Sequence, residues 1–553
     1  MSSSKKKQLR KEQYMTERQA AAAKEAKQLK RYTLTFWVAI VLVLAIFVTG
    51  ILFNPIKSMI YRNTDSIQVG DYTLSSVDVN YFYMEAVNAY VNQNQYLLSY
   101  LMDTSKPLNE QIRDKETGAT WADYFMDATK DSIKNTYALY SAAMKSGHKL
   151  TEEQQKTVDS TITTTSVYAL YYGYSDLDSY LAAIYGPGSN EENFRNYMQV
   201  AAVASSYLAA HSDSLEYTAE DLLAFQKDEP YKYNSYTFAS YYVDAAKFRE
   251  GGTKDDKGNI TYSDAEKKAA IEAAEKAANL LAAGEYKDVA AFDDAIKAMA
   301  HNKGSLTEAS KKYDDLLYSE ITQSAYLFHD WLIGKVEAED KDAEPTYELR
   351  KEGDITVIPY TTGSGDTQTT NGYYVLRFES FNSNDFAMKN VRHLLVKFEG
   401  GKTNTSTGET TYSDEEKAKA KSEAENLLAE WEKGDKSETS FAELAKKHSD
   451  DNKDAGGLYE NVYPGQMVTS FNDWCFDESR KTGDYDIVET EFGYHIMFFV
   501  GDSDTTFRDY MITNAKRSAD VTEWQKALAD AMTVEVLNVD HLQLDLVLQP
   551  KDE

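Results

Sequence analysis

Three polar residues in the C-terminal third of the chain stand out by their type and position. His495 lies in the otherwise apolar run EFGYHIMFFVG (491–501), His393 lies in VRHLLVKF (391–398), and Asp451 lies in the polar stretch HSDDNKDAGG (448–457). The apolar runs around the two histidines predict strands. Two histidines on adjacent central strands could meet and share a hydrogen bond. Each histidine taken alone is equally typical of a satisfied core residue.

The rest of the sequence offers no nucleophile and no metal site. Cys475 is the only cysteine and stands between Trp474 and Phe476, which is typical of a small buried apolar residue rather than a nucleophile. The remaining histidines have no metal-ligand spacing, and no glycine-rich phosphate loop is present. We therefore predict neither a metal nor a cofactor, and a reaction without covalent catalysis.

Charge and hydropathy predict a membrane anchor. The chain has a formal net charge of −30, but residues 1–32 carry ten Lys or Arg against three Glu. Residues 33–53 follow, a run of 21 without a charge, and this length predicts a transmembrane helix. The basic flank would keep 1–32 in the cytoplasm, so we expect a single-pass plasma-membrane protein with its bulk extracytoplasmic. An acidic bulk argues against nucleic acid as a partner.

The region 54–225 is rich in aromatic residues at helical spacing and predicts a helical domain. It begins with a hairpin and a helix within 67–91, where Ser75 and Asp78 suit a capping box. The C-terminal segment 506–553 predicts a helix followed by a strand with alternating leucines at 542–548. We expect this segment to complete the helical domain.

An internal repeat predicts two tandem domains of one α+β fold, at 226–385 and 386–505. KFREGGTKDDKGNITYSDAEKKAA (247–270) matches KFEGGKTNTSTGETTYSDEEKAKA (397–420). Further pairs are YLFHDWL with TSFNDWC and NGYYVL with FGYHIM, in the same order. The second copy predicts strands at 390–398 and 493–500 and helices at 413–433 and 439–448.

Within residues 389–501 these motifs, in this order, resemble the parvulin-type peptidyl-prolyl isomerases. The resemblance rests on VRHLLVKF, FAELAKKHSDD, the glycine pair at 456–457, PGQMVTSF and FGYHI. It implies a site in which His393 and His495 pair beside Asp451 and Thr490. The implied proline pocket consists of Met467 and Phe471. In GGLYENVYPGQM (456–467) the sequence departs from the family pattern, and we expect Tyr459 on the pocket wall.

The first copy lacks the features that the resemblance makes functional. Tyr374 stands at the place of His495, Ser324 stands opposite Met467, and residues 231–248 contain no histidine. Only Phe328, opposite Phe471, persists from the pocket. We therefore interpret the first copy as a degenerate, non-catalytic binding or spacing domain.

Taken together, these features predict an α+β protein with one N-terminal transmembrane helix, a helical chaperone-like domain and two tandem parvulin-like domains, the first degenerate. The overall order is similar to foldases of the PrsA and SurA kind. The resemblance implies a membrane-anchored, extracytoplasmic foldase that isomerises X–Pro bonds in unfolded or newly secreted polypeptides. The alternative is a non-catalytic holdase that uses the helical domain and keeps both parvulin-like copies as scaffolds.

Overall fold

The structure, a computed structural model, describes residues 55–549 except 228, 230, 303–307, 325, 337–344, 366–367 and 406. The chain divides into two compact units. One contains the described residues up to Leu215 and those from Arg517 onward, and the other is Glu216–Lys516.

The predicted membrane topology needs correction. No helix in the described ranges combines the length and the apolar character that crossing a membrane requires. The predicted span, 33–53, lies outside the described residues. The fold class is therefore corrected to a mixed α+β chain, without the transmembrane helix and the single-pass plasma-membrane location that the sequence predicts.

The first unit is mainly helical. Ser75 caps the N-terminus of the first long helix in this unit. Its hydroxyl accepts a hydrogen bond from the Asp78 N–H, and the Asp78 carboxylate accepts one from the Ser75 N–H. Aromatic residues such as Tyr83, Trp121 and Phe125 fill the core between the helices. The helices are 55–63, Ser76–Gln93, Leu98–Leu101, Trp121–Ser146, Glu152–Tyr171, Leu177–Tyr185 and Glu191–Ser214, with the part of Phe507–Asp530 from Arg517 onward.

A small antiparallel sheet in this unit joins the two ends of the described chain. Strands β1 (Asp65–Val69) and β2 (Tyr72–Ser75) form a hairpin, and β17 (Val534–Val536) pairs with β1. Residues 542–548, which alternation predicts as a strand, form none. Their leucines instead pack against the helical core from an irregular segment.

The second unit contains two four-stranded antiparallel sheets with the same topology. In chain order each sheet runs 2-1-4-3: β6-β3-β10-β9 in the first and β14-β11-β16-β15 in the second. The strands of the first are β3 (Ser235–Asp244), β6 (Lys311–Leu317), β9 (Ile355–Thr362) and β10 (Thr369–Asn382). Those of the second are β11 (Ala387–Lys397), β14 (Leu458–Val462), β15 (Tyr485–Glu489) and β16 (Gly493–Thr506).

Helices and short hairpins complete this unit. One face of each sheet packs against a long helix, Asp264–Ala282 in the first sheet and Asp414–Trp431 in the second. The other helices are Ala219–Gln226, Val289–Ala298, Tyr318–Ser324, His329–Leu332, Glu438–His448 and Thr469–Cys475. Two-residue strands form the hairpins β4 (Thr253–Lys254) with β5 (Ile260–Thr261), β7 (Lys335–Val336) with β8 (Thr346–Tyr347), and β12 (Lys402–Thr403) with β13 (Thr410–Thr411).

The same local hydrogen bonds start the long helix in both halves. Glu266 accepts from the Gly252 N–H at 2.8 Å and caps its helix together with Ser263. Glu416 accepts from the Gly401 N–H at 2.9 Å and caps its helix together with Ser413. The repeated GG and YSD motifs therefore have one structural role, which is to fix the loop before the helix.

Candidate active site

The two histidines lie on the central strands of the second sheet. In the β11–β16 ladder His393 is opposite Met497 and His495 is opposite Leu395, so the two side chains are diagonal neighbours on one face. Their Nδ1 atoms are 3.0 Å apart and the ring centroids are 5.2 Å apart. Both rings are buried, with 1% and 5% of their surface exposed. The fold thus converts two residues 102 positions apart into a hydrogen-bonded pair.

Three further side chains extend this pair into a network. Thr490 Oγ1 lies 2.9 Å from His495 Nε2 at one end. At the other end Asp451 Oδ2 lies 3.4 Å from His393 Nε2, beyond normal hydrogen-bond length. The Tyr459 hydroxyl donates to the same Asp451 oxygen at 3.0 Å, and its ring stacks on His393 with centroids 4.9 Å apart.

Two arrangements of protons agree with these contacts. The Thr490 hydroxyl accepts from the Phe492 N–H at 3.2 Å and can donate either to His495 Nε2 or to the Gly493 carbonyl, which is 3.4 Å away. In the first case His495 donates from Nδ1 to His393 Nδ1, and the His393 proton lies on Nε2, facing the Asp451 carboxylate. In the second case His495 Nε2 donates to the Thr490 hydroxyl and His393 Nδ1 donates to His495 Nδ1. Both imidazoles are neutral in either arrangement.

Burial keeps both histidines neutral. It lowers the pKa of His393 from 6.5 to about 4, although the Asp451 carboxylate opposes the shift. Burial, with His393 as a second cause, lowers the pKa of His495 to about 3. Burial and the adjacent Asp451 carboxylate raise the pKa of Tyr459 to about 12, so its hydroxyl remains a donor.

The loop after the helix Glu438–His448 sets the position of Asp451. Buried Ser449 accepts from the backbone N–H groups of Leu395 and Asp451, at 3.1 Å each. Farther along, the Gly457 carbonyl accepts from the His393 N–H at 2.9 Å. These bonds tie the loop to β11 on both sides of Asp451, so the carboxylate stays beside the imidazoles.

Apolar side chains of the predicted proline pocket pack against the histidine pair. The ring of Phe471, 3% exposed, meets His393 and His495 edge to face, with centroids 5.5 and 5.4 Å away. Met467, on the loop before the helix Thr469–Cys475, packs into the same cluster and is partly exposed. The polar network therefore lies next to an apolar cluster.

Cys475 does not contribute to this arrangement. Cys475 is buried, and burial raises the pKa of its thiol to about 12, far from a reactive thiolate. No group of three or more His, Cys, Asp or Glu residues within the described ranges is arranged to hold a metal ion.

The structure brings together all seven residues that the sequence analysis singles out for the site. Tyr459 differs from expectation, because it contacts His393 and Asp451 directly in addition to flanking the pocket. Sequence reasoning missed Ser449 and Gly457. Their position beside Asp451, in a Ser-Asp-Asp turn and a glycine pair, is the signal that could have found them.

Comparison with known proteins agrees with this geometry. The family model described as PPIC-type PPIase domain matches residues 373–523. A search of curated proteins finds no significant match. Among solved structures, PrsA of Bacillus anthracis, a peptidylprolyl isomerase, is 21% identical with a TM-score of 0.17, covering 27% of this chain and 59% of that one.

Two further solved structures are similar to part of the chain. PrsA of Bacillus subtilis is 23% identical with a TM-score of 0.18, covering 29% of this chain and 55% of that one. The peptidyl-prolyl isomerase ESS1 of Candida albicans is 28% identical with a TM-score of 0.16, covering 21% and 63%. With such scores these likenesses add nothing about function, which rests on the family match. Residues 373–523 thus match a PPIC-type PPIase domain, and this match supports a parvulin-type peptidyl-prolyl cis-trans isomerase activity for that part of the chain.

Proposed function

We propose that the network of His393, His495, Thr490, Asp451 and Tyr459, with the pocket of Met467 and Phe471, is the isomerase site. We also propose that the chain uses it as a foldase on unfolded polypeptides. The observation that carries the proposal is the 3.0 Å contact between the two buried imidazoles, beside an apolar pocket and inside the matched domain.

The reaction requires rotation about an amide bond and no covalent intermediate. The barrier is about 18–20 kcal/mol because resonance holds the peptide planar. The cis and trans forms of an X–Pro bond differ by only about 0.5–1 kcal/mol, so a catalyst needs only to favour the twisted state. An arrangement without a nucleophile is sufficient for this reaction.

The apolar pocket would hold the proline ring while the preceding carbonyl rotates. Phe471 is fixed by contacts with both imidazoles, and Met467 can adjust to the ring because its side chain is unbranched. Contacts that become stronger as the peptide twists lower the barrier, whereas contacts equal in both states do not. The partly desolvated surface beside the network would also favour the twisted amide, whose resonance is lost.

In this proposal the neutral imidazoles position groups rather than transfer protons. Their shared hydrogen bond fixes both rings against Phe471, the hydrogen bond from the pair to Thr490 fixes one end, and the Asp451 carboxylate lies 3.4 Å from His393 Nε2 at the other. A general acid or base would need a pKa near the working pH, and burial moves both histidines well below it.

The test is prolyl cis-trans exchange on a short X–Pro peptide, measured by NMR with the full-length chain. We expect His393→Ala/His495→Ala to lower the exchange rate by at least about tenfold, or 1.4 kcal/mol of transition-state stabilisation. His448→Ala is the matched control, since His448 is exposed at the end of a helix in the same domain. Equal rates in the double variant and the control would remove the pair from the site.

The identity of the clients is the finer part of the proposal. Unfolded chains fit a site that recognises only a proline and its neighbours, and newly secreted polypeptides would supply such segments. The support is the resemblance of the motif order to extracytoplasmic foldases. The chain spans only 55–59% of the length of the two PrsA chains, so the clients are a proposal.

A second candidate function, holding unfolded chains without catalysis, is favoured by the helical unit. The end of the helix Glu152–Tyr171 exposes a run of large apolar side chains: Val167 61%, Tyr168 54%, Leu170 63%, Tyr171 81% and Tyr172 65%. Contiguous exposed apolar surface is typical of a binding surface.

The two functions separate in one experiment. A holdase carrying His393→Ala/His495→Ala would still suppress aggregation of an unfolded client. An isomerase-dependent foldase with the same changes would no longer speed the refolding of a client limited by a proline.

A further inference from the structure

The first sheet of the second unit carries a tyrosine cluster at the positions of the isomerase network. The strand pairing aligns Tyr374 with His495. Each stands two residues after a glycine, Gly372 or Gly493. Tyr374 is opposite Tyr242 in the first sheet, and His495 is opposite Leu395 in the second. In the first sheet Gly372 is opposite Tyr360. In the second the Gly493 carbonyl accepts a hydrogen bond from the Thr490 N–H. Tyr360 therefore stands at the position of Thr490.

The position of His393 also changed, whereas Tyr313 keeps the residue type at the position of Tyr459. By the same register Ser240 stands at the position of His393, and Tyr242 at that of Leu395. Phe328 keeps the contact that Phe471 makes in the second copy, since its ring meets Tyr374 with centroids 5.0 Å apart. An apolar floor is retained, and tyrosine rings replace the polar network.

The tyrosines form one continuous aromatic surface. Ring centroids are 4.9 Å apart for Tyr242–Tyr374, 5.8 Å for Tyr242–Tyr360 and 5.9 Å for Tyr360–Tyr374. The ring of Tyr242 lies over Gly372, where an added Cβ would be 2.7 Å from the tyrosine hydroxyl. The glycine leaves room for this ring, so the cluster depends on the backbone as well as on the side chains.

This aromatic surface is partly exposed to solvent. The opposite face of the sheet, with Tyr241, Val243 and Val375, is covered by the helix Asp264–Ala282. All three tyrosines of the cluster are only partly buried. No hydrogen bond joins their hydroxyls to other residues in the described part of the chain, so the hydroxyls can donate to a ligand.

We propose that Tyr242, Tyr360 and Tyr374, with Phe328 beneath them, bind extended proline-containing segments of the same polypeptides that the second copy isomerises. The inference rests on the proposed function. Proline-rich segments form a polyproline II helix that docks on aromatic grooves, with proline rings on ring faces and carbonyls as acceptors. A cluster of tyrosines offers ring faces for the prolines and hydroxyl donors for the carbonyls. It lies at the position where the homologous site of the second copy would receive a proline.

This site binds proline segments without isomerising them. It lacks both imidazoles, the Tyr360 ring replaces the threonine side chain at the Thr490 position, and we expect flat aromatic faces to contact cis and trans prolines equally. Binding that is equal in the ground state and the twisted state does not lower the barrier. Its effect is to hold one proline-rich stretch of a client while another reaches the second copy, which raises the local concentration of substrate.

The test measures binding of a fluorescein-labelled Ala-Pro repeat peptide to the full-length chain by fluorescence anisotropy. We expect Tyr360→Leu/Tyr374→Leu to weaken the tyrosine-dependent binding by about tenfold, since each lost aromatic contact lowers affinity several-fold. Turnover of a proline tetrapeptide should be unchanged. Tyr100→Leu, at a tyrosine 86% exposed in the helical unit, is the matched control.

Further variants separate this inference from the proposed isomerase site. Tyr360→Phe/Tyr374→Phe keeps the rings, tests the hydroxyls, and should weaken binding less than the leucine pair. In His393→Ala/His495→Ala the tyrosine-dependent binding should persist although turnover is lost. No binding by the unmodified chain, or identical isotherms for it and both tyrosine pairs, would overturn the inference. Turnover retained in the histidine variant would instead count only against the proposed isomerase site.

Discussion

At the scale of residues, the hydroxyl of Tyr459 holds the Asp451 end of the network. Asp451 is too far from His393 for a normal hydrogen bond, so the tyrosine at 3.0 Å is its nearer side-chain partner. We expect Tyr459→Phe to lower kcat/KM by about three- to tenfold, the loss of one hydrogen bond to a charged group. The ring stack on His393 should survive.

The control for this change is Tyr459→Leu, which removes the ring as well and should cost more. Measuring kcat/KM for both variants separates the roles of the hydroxyl and the ring. If Phe and Leu at position 459 reduced turnover equally, the hydroxyl would have no role of its own.

The neutral state of the histidine pair predicts acid sensitivity. Both folded-state pKa values, about 4 and about 3, lie below the ordinary 6.5. As the pH falls below about 6.5 the unfolded chain therefore takes up protons that the folded domain cannot accept. Above that pH neither histidine lowers the free energy of unfolding. Below it, each histidine lowers the free energy of unfolding by about 1.4 kcal/mol per pH unit toward pH 4.

Urea unfolding of the full-length chain between pH 7.5 and 4.5 tests this expectation. In His393→Leu/His495→Leu the unfolding transition of the isomerase domain should lose less stability as the pH falls. The control His448→Leu, at an exposed histidine, should lose as much stability as the unmodified chain. An identical pH dependence in the unmodified chain and the double variant would show that the pair is not the source.

Much of the site could be predicted from residue types in the sequence, because both histidines lie in strongly apolar runs that can only be central strands. The contacts of Asp451 could not. They depend on a loop in which Asn452, Gly456 and Gly457 all have positive φ, and no periodic pattern specifies such a path. The tyrosine cluster was also missed, apart from Tyr374, because Tyr360 and Tyr242 become equivalent to site residues only through the strand register.

At the scale of elements, the attachment of the Asp451 loop to β11 depends on Gly457. Its φ is 71°, and an added Cβ would lie 1.9 Å from the His393 carbonyl oxygen. We expect Gly457→Ala to destabilise the domain by about 2–4 kcal/mol, because it combines backbone strain with a clash against β11. Isomerase activity should fall as the loop and Asp451 move away from the imidazoles.

Gly483→Ala is the matched control for the glycine change. Gly483 also has a positive φ, 90°, but nothing lies within 4 Å of its added Cβ. It should therefore show only the strain, about 1 kcal/mol. Chemical denaturation and tetrapeptide turnover measure both variants, and equal losses in the two would mean that the approach to His393 is unimportant.

Helices in the second copy were predictable because their caps and periodicity agree. The predicted 413–433 and 439–448 correspond to Asp414–Trp431 and Glu438–His448. The leucine alternation at 542–548 misled, because alternation fits any extended segment with one buried side. Turn bonds from Leu542 to Val539 and from Leu546 to Gln543 interrupt that segment, and its leucines meet helices rather than a sheet.

At the scale of the whole molecule, two sheets of identical topology have different surfaces, one a polar network beside a pocket and the other an aromatic cluster. Duplication allows this, because one copy is sufficient for catalysis and the other is free to change. Both copies keep the helix caps at Glu266 and Glu416 and the apolar floor at Phe328 and Phe471. What differs between them is the set of side chains that a client would touch.

The acidic character of the chain predicts a salt-dependent preference for cationic clients. The formal net charge is −30. Asp454, on the loop that carries Asp451, and Glu460, on the adjoining strand β14, are both exposed. At an ionic strength of 0.01 M charges interact over about 30 Å, whereas at 1 M the range falls to about 3 Å. We expect kcat/KM for an unfolded, lysine-rich client to fall several-fold between these limits, because encounter is electrostatically steered.

An uncharged proline tetrapeptide should show little change over the same range, since steering requires a charged substrate. Asp454→Asn/Glu460→Gln should reduce the salt dependence for the lysine-rich client. Glu423→Gln/Glu430→Gln, which removes the same charge from exposed positions on the helix Asp414–Trp431, is the matched control. If both pairs reduced the dependence equally, net charge alone would attract the client. If neither did and the client showed no salt effect, recognition would rest on the proline and its apolar neighbours, and the acidic loop would have no part in selecting clients.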